Sequence, residues 1–115
     1  MNNILITGGS GYVGTRLIYK LLKETNYNIV NYDISLFGDE HLPKNERFNY
    51  CKDDITDPNK FNNALKNHNI NTVLHLACIS NDPTYELNSG ISKKINFDCF
   101  EDLVKISKKN KVKKF

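Results

Sequence analysis

At 115 residues the chain fits one compact domain and leaves no room for a second. Hydrophobic residues at 39% against charged residues at 25% supply enough material for a buried core, which excludes an intrinsically disordered chain. A formal net charge of +3 is too small to point to nucleic acid by itself, and no segment approaches the ~18 apolar residues of a membrane span.

The first predicted element is a strand at Asn3–Thr7, "NILIT", an apolar run that ends at glycines as a buried parallel strand does. From Gly11 the period changes: Val13, Leu17, Ile18, Leu21 and Leu22 recur at helical spacing, which predicts an amphipathic helix to Glu24. "NIVNYD", Asn28–Asp33, is the second strand. The stretch "ISLFGDEHLPKNE", with Gly38 and Pro43, reads as loop, and a short third strand follows at Phe48–Cys51. Asp57 then stands as an N-cap before Pro58, whose missing N–H costs nothing at the first helical position.

"NTVLHLA", Asn71–Ala77, is the fourth strand, and 81–90, with Pro83 and Gly90, reads as loop. The last helix is expected from Ser92 to Lys109, burying Ile95, Phe97 or Phe100, Leu103, Val104 and Ile106. Lys105–Lys114, "KISKKNKVKK", is read as its solvated end, where lysines suit the negative pole of the helix dipole. "VKKF" resembles the entry to a fifth strand. Strands alternating with helices imply right-handed crossovers, hence an α/β fold with a parallel sheet, helices on both faces and strand order 3-2-1-4. Three widely spaced cysteines, Cys51, Cys78 and Cys99, form neither a metal motif nor a disulfide framework. Together with an N-terminus lacking a basic leader they predict a cytoplasmic protein.

Chemistry concentrates in "TGGSGYVG". Gly9, Gly11 and Gly14 satisfy G-x-G-x-x-G, and Gly8, Gly11 and Gly14 satisfy G-x-x-G-x-x-G. Either register meets one physical demand: a strand must turn at once into a helix, backbone must approach a pyrophosphate, and helix must pack on strand. Free N–H groups at the helix start would then face phosphate oxygens. Asp33 follows at the end of the second strand, roughly 20 residues on, where a carboxylate accepts hydrogen bonds from ribose hydroxyls and repels a 2′-phosphate. This favours NAD over NADP. The nearest basic residues, Lys44 and Arg47, lie beyond a loop and are not expected to hold that phosphate.

"TGGSGYVG", "NYD", "CKDDITD", "VLHLA" and "INFD", in this order, resemble the extended short-chain dehydrogenase/reductase family, and within it the nucleotide-sugar epimerases and dehydratases of the UDP-glucose 4-epimerase type. The resemblance implies a Rossmann-type domain over 1–115 that binds NAD. It implies backbone contacts from Tyr12 and Val13 to the pyrophosphate, and Asp54 and Ile55 at the adenine ring. Leu76, Ala77 and Cys78 would line the ribose and nicotinamide, and Asn96 would hydrogen-bond backbone near the cofactor. The chain departs from the family at Asp53, where glycine is usual, at Cys78, where a small residue is common, and in the loop "SNDPTYEL".

The family's chemistry uses a Ser or Thr on the fifth strand and a Tyr-x-x-x-Lys pair on the following helix, and neither is found here. Tyr19 and Lys23 match that spacing, but in the helix after the glycine loop, which carries them away from the nicotinamide. His41, His68 and His75 lack a serine or carboxylate partner at recognisable spacing, and His75 reads as a strand-end packing residue. The expected function is therefore the NAD-binding portion of a nucleotide-sugar epimerase or dehydratase. The alternative is a non-catalytic dinucleotide-binding module, or one chain of a split enzyme completed by a partner polypeptide. A nucleotide sugar would bind only with a further C-terminal part present. A homo-oligomer is possible, the fourth strand would expose an edge, and no nucleic-acid or membrane partner is expected.

Overall fold

The computed structural model describes residues 2–33, 42–76 and 99–115. In chain order the elements are β1 (Asn3–Thr7), α1 (Tyr12–Glu24), β2 (Asn28–Tyr32), β3 (Phe48–Cys51), α2 (Pro58–Asn67), β4 (Thr72–His75) and α3 (Cys99–Lys109). The four strands form one sheet in the order β3-β2-β1-β4. Every pairing is parallel, with Ile6 opposite Asn31 and Leu74, and Thr7 opposite Tyr32 and His75. The expected α/β class and strand order therefore hold. The expected residues 92–98 of the last helix lie outside the described residues.

Alternation along the strands divides the core. Leu5, Val30, Tyr32 and Val73 face one side, where they meet Phe61 and Leu65 of α2 and Leu103 of α3. Ile4, Ile6 and Ile29 face the other, against Ile18 and Leu22 of α1. Both faces are thus covered, as parallel sheets require. Tyr32 and Phe61 meet edge to face at 5.5 Å. Two helix positions, Val13 and Val104, differ from the sequence reading. Val13, the second residue of α1, is 64% exposed at the open N-terminal end of the helix, while Leu17, Ile18, Leu21 and Leu22 pack inward. Val104 is exposed, as is Phe100, which was expected only as the alternative to Phe97, a residue outside those described; α3 buries Leu103 and partly Ile106.

The helix ends are fixed by specific groups. The Asp57 carboxylate accepts from the amides of Asn59 and Lys60, which starts α2 at Pro58 as expected. Arg47, just before β3, donates to the carbonyls of Leu22, Thr25 and Tyr27 at 2.6, 2.8 and 2.9 Å. It thereby satisfies carbonyls at and beyond the end of α1 that have no helical partner, and places a positive charge at the helix dipole's negative pole. After α3, Lys111 adopts a left-handed conformation and the Val112 amide reaches back to the Ser107 carbonyl. The chain then turns onto β4, where Lys114 bridges Thr72 in parallel. That isolated bridge sets "VKKF" alongside β4, on the side where the sequence placed the entry to a fifth strand.

At the seam between β1 and β4, Thr7 Oγ1 lies 2.7 Å from His75 Nδ1 and also accepts from the Leu76 amide at 3.1 Å. The His75 ring packs against Phe100 and Phe115, with centroids 5.9 and 6.2 Å away. His75 is thus a packing residue with a hydroxyl partner that its sequence neighbourhood did not disclose.

Two consequences can be measured. The Tyr32 hydroxyl is buried without a partner among the described residues, and burial, then the Asp53 charge, holds the phenol firmly protonated. Removing an unsatisfied buried hydroxyl relieves its desolvation cost, so Tyr32→Phe should raise stability by about 1 kcal/mol in urea denaturation. A loss of that size would show that the hydroxyl is bonded. Burial also pushes the His75 imidazole below its ordinary value. As pH falls through about 6.5 the unfolded imidazole takes up a proton and the folded one does not, so the unfolded state is favoured. The effect levels off once the folded imidazole protonates at its lower pKa. The denaturation midpoint should drop between pH 7.5 and 5.5, and by visibly less in His75→Gln. Equal drops in the two proteins would assign the pH dependence elsewhere.

Candidate functional site

The C-terminal ends of β1 and β2 and the N-terminus of α1 converge at the glycine loop. Gly8 carries φ 76°, a left-handed conformation that suits glycine, and its amide continues the ladder onto the Tyr32 carbonyl. The Gly11 amide then donates back to the Gly8 carbonyl at 3.2 Å, closing the turn. Thr15, in the first turn and a half of α1, donates its hydroxyl to the Gly9 carbonyl.

Each glycine answers a different constraint. A Cβ on Gly14 would lie 2.5 Å from Gly9 Cα and 2.7 Å from the Gly8 carbonyl oxygen, so α1 packs directly on loop backbone. A Cβ on Gly9 would collide with the Asn31 side-chain oxygen and with Ile18 Cδ1. Gly11 is different. Its backbone is extended, with φ −76°, and among the described residues a Cβ there would meet only the Gly8 oxygen, at an ordinary 3.5 Å.

Gly11 is also the N-cap of α1, and it offers no side-chain acceptor. The amides of Tyr12, Val13 and Gly14 therefore stand at the open end of the helix without intrahelical partners. The first turn carries no acidic residue, and both Tyr12 and Val13 are exposed. Arg16, one turn on, stacks its guanidinium 5.0 Å from the Tyr12 ring centroid. Free N–H groups, the dipole's positive pole and a nearby cation make this end of α1 favourable for an anion.

Asp33, immediately after β2, accepts the Ser10 amide through Oδ2 at 3.0 Å. The carboxylate is therefore held at the loop, half-buried, at the side of the crevice opposite β4. Asp54 is exposed, and its carboxylate accepts the Thr56 amide at 2.8 Å in a turn after β3. Ile55 is buried in the core with Phe61 and Tyr32, and Asp53 pairs with Lys60 at 3.6 Å. Leu76, half-buried just beyond β4, donates its amide to Thr7 and packs on the α1 side of the sheet. Gly8, Gly11, Tyr12, Val13, Gly14 and Asp33 are thus brought together, with Leu76 on the neighbouring strand end. Ala77, Cys78 and Asn96 lie outside the described residues.

Sequence reasoning passed over Ser10, Asn31 and Thr7. The available signal was a polar residue inside an apolar strand, "NIVNYD", where a buried polar group is the informative observation. No group of three metal-ligating side chains occurs among the described residues. Cys51 lies 3.9 Å from His68 Nε2, but burial and then the Asp53 charge push its thiol up, away from a reactive thiolate. No described helix is long and apolar enough to cross a membrane.

Comparisons with known proteins agree with this geometry. A family model described as the NAD dependent epimerase/dehydratase family matches residues 4–115. The dTDP-4-dehydro-6-deoxyglucose reductase of Escherichia coli is 32% identical over 106 residues, which cover 89% of this chain and 31% of that protein. Among solved structures, the UDP-glucose 4-epimerase of Thermotoga maritima with UDP-glucose superposes with a TM-score of 0.87 at 28% identity, over 98% of this chain and 36% of its own. The Bordetella bronchiseptica enzyme WbmH in complex with NAD+ gives a TM-score of 0.81 at 26% identity, over 97% of this chain and 36% of its own. The chain therefore spans about a third of the length of these relatives. Since the match runs over residues 4–115, from β1 past the Lys114 bridge to β4, the chain belongs to the NAD dependent epimerase/dehydratase family.

Proposed function

We propose that this chain is the NAD-binding portion of a nucleotide-sugar epimerase or dehydratase. The observation that carries the reading is Gly11. Gly14 and Gly9 are required by packing and Gly8 by its left-handed backbone, whereas nothing among the described residues crowds Gly11. Its bare face opens at the helix N-terminus, where a side chain would fill the space that a pyrophosphate needs. The residues present thus fit the cofactor.

In this reading the amides of Tyr12 and Val13, with the backbone of Gly8, Gly11 and Gly14, hold the pyrophosphate. Asp33 accepts from the adenosine ribose. Asp54 and Ile55 meet the adenine, Ile55 by backbone, since its side chain is buried in the core. Leu76, Ala77, Cys78 and Asn96 serve the ribose and nicotinamide side. NAD when bound supplies hydride acceptance and return. This chain's own residues bind and orient it, and proton transfer belongs to groups beyond these 115 residues. Tyr19 and Lys23 do not supply it: α1 runs away from the loop, and Tyr19 lies nearly two turns along it, on an exposed face.

One observation fits the second reading, completion by another polypeptide, as well as it fits the first. Beyond the Thr72–Lys114 bridge, Leu74 and His75 have no strand on that side among the described residues. A fifth strand, from a longer chain or from a partner, would cover them.

Substitution at Gly11 tests the main reading. NAD at about 100 times its dissociation constant should stabilise the wild-type chain by roughly 2.7 kcal/mol. Gly11→Val should fold, because its backbone is extended and uncrowded, and should show no NAD-dependent shift in denaturation midpoint. A variant that kept the full shift would take the glycine loop out of the site.

A further inference from the structure

We propose that Asn31 is the positioning residue of this site: by holding Ser10 it fixes the shape of the glycine loop and so sets where the loop's amides meet a pyrophosphate. The proposal rests on the reading of the loop as the NAD site. Asn31 lies in β2, a central strand, and is fully buried where parallel strands are otherwise apolar. Its Nδ2 donates to the Ser10 hydroxyl at 2.9 Å, while its Oδ1 has no hydrogen-bond partner among the described residues and stands where a Cβ on Gly9 would collide with it. A buried amide with one end unpaired costs the fold more than an apolar side chain of similar size would. Stability alone therefore does not account for it.

What the amide does is local. Ser10 stands between Gly9, which has no room for a Cβ, and Gly11, which is open. The end of β2 holds Ser10 twice: Asn31 takes its hydroxyl, and Asp33 accepts its backbone N–H at 3.0 Å. Asn31 sits opposite Ile6, one residue before the last of β1, so sheet register fixes the height at which the loop is gripped. Residues 8–11 include three glycines, whose broad backbone freedom would otherwise be lost only on binding. The hydroxyl grip removes that freedom in advance, and it aligns the loop with the carboxylate expected to meet the ribose.

The test separates positioning from folding. In Asn31→Val, which removes the unpaired oxygen, the thermal midpoint should stay level or rise. Meanwhile Ser10 amide hydrogen exchange, read by NMR, should quicken about 10-fold, with the Leu5 and Ile6 amides unchanged, and the calorimetric dissociation constant for NAD should rise about 10-fold. Ser10→Ala should lose affinity by a similar factor, and the double variant should lose no more than either single one. Unchanged Ser10 exchange in Asn31→Val, or losses that multiply in the double variant, would overturn the proposal. If the wild-type chain binds no NAD, the NAD reading falls, and the exchange measurement alone decides whether Asn31 holds the loop.

Discussion

Helix α1 approaches the strand-to-helix turn so closely that Gly14 has no space for even a methyl group between itself and the backbone of Gly8 and Gly9. This contact orients the helix. With Ile18 and Leu22 already seated on the sheet through Ile4, Ile6 and Ile29, the axis of α1 is fixed at both ends. Its N-terminus then opens beside the ends of β1 and β2, where the chain reverses from the β2–β3 side of the sheet to the β4 side. Ligands of open α/β sheets bind at such a switch point, because diverging loops leave a crevice there. The helix's unpaired amides face that crevice as a consequence of packing rather than of any side chain.

The two faces of the sheet do different work. The α2 and α3 face carries the larger cluster of buried apolar residues, with Phe61, Leu65 and Leu103 completely or almost completely buried. The α1 face is smaller and admits polar groups at its rim: Asn31, Ser10 and Thr15 bond to one another's neighbourhood along the loop. Arg47 closes the opposite end of α1 by donating to three carbonyls. That engagement also removes its guanidinium from the crevice, in keeping with the expectation that it would not serve a 2′-phosphate beside Asp33.

Much of the fold was legible because its punctuation is chemical. Asp57 before Pro58 marks the start of α2, the glycines mark the end of β1, and alternating strand and helix periods with right-handed crossovers leave few strand orders to choose from. The loop glycines and Asp33 were legible as a spacing. Less was legible where contact depends on partners far apart in the chain. Thr7 and His75 are 68 residues apart, and Asn31 and Ser10 are 21 apart; neither pair leaves a local pattern. On α3, apolar residues at Phe100, Leu103, Val104 and Ile106 offered more than one face to bury, and the sheet takes only the face with Leu103 and Ile106. Asp54 and Ile55 were named by resemblance; in the structure one carboxylate closes a turn and one side chain fills the core, leaving backbone for any adenine contact at Ile55.

The account stands on a carboxylate held at the glycine loop beside an anion-favouring helix end. Calorimetric titration of NAD and of NADP into the chain measures that arrangement directly. Asp33, fixed through the Ser10 amide, should favour the ribose hydroxyls of NAD and repel the 2′-phosphate of NADP in a partly dry crevice where charge is less screened than in water. The expected result is saturable NAD binding at a clearly lower dissociation constant than NADP. NADP binding as tight as NAD or tighter would contradict it, and would leave Asp33 as a residue that only secures the loop.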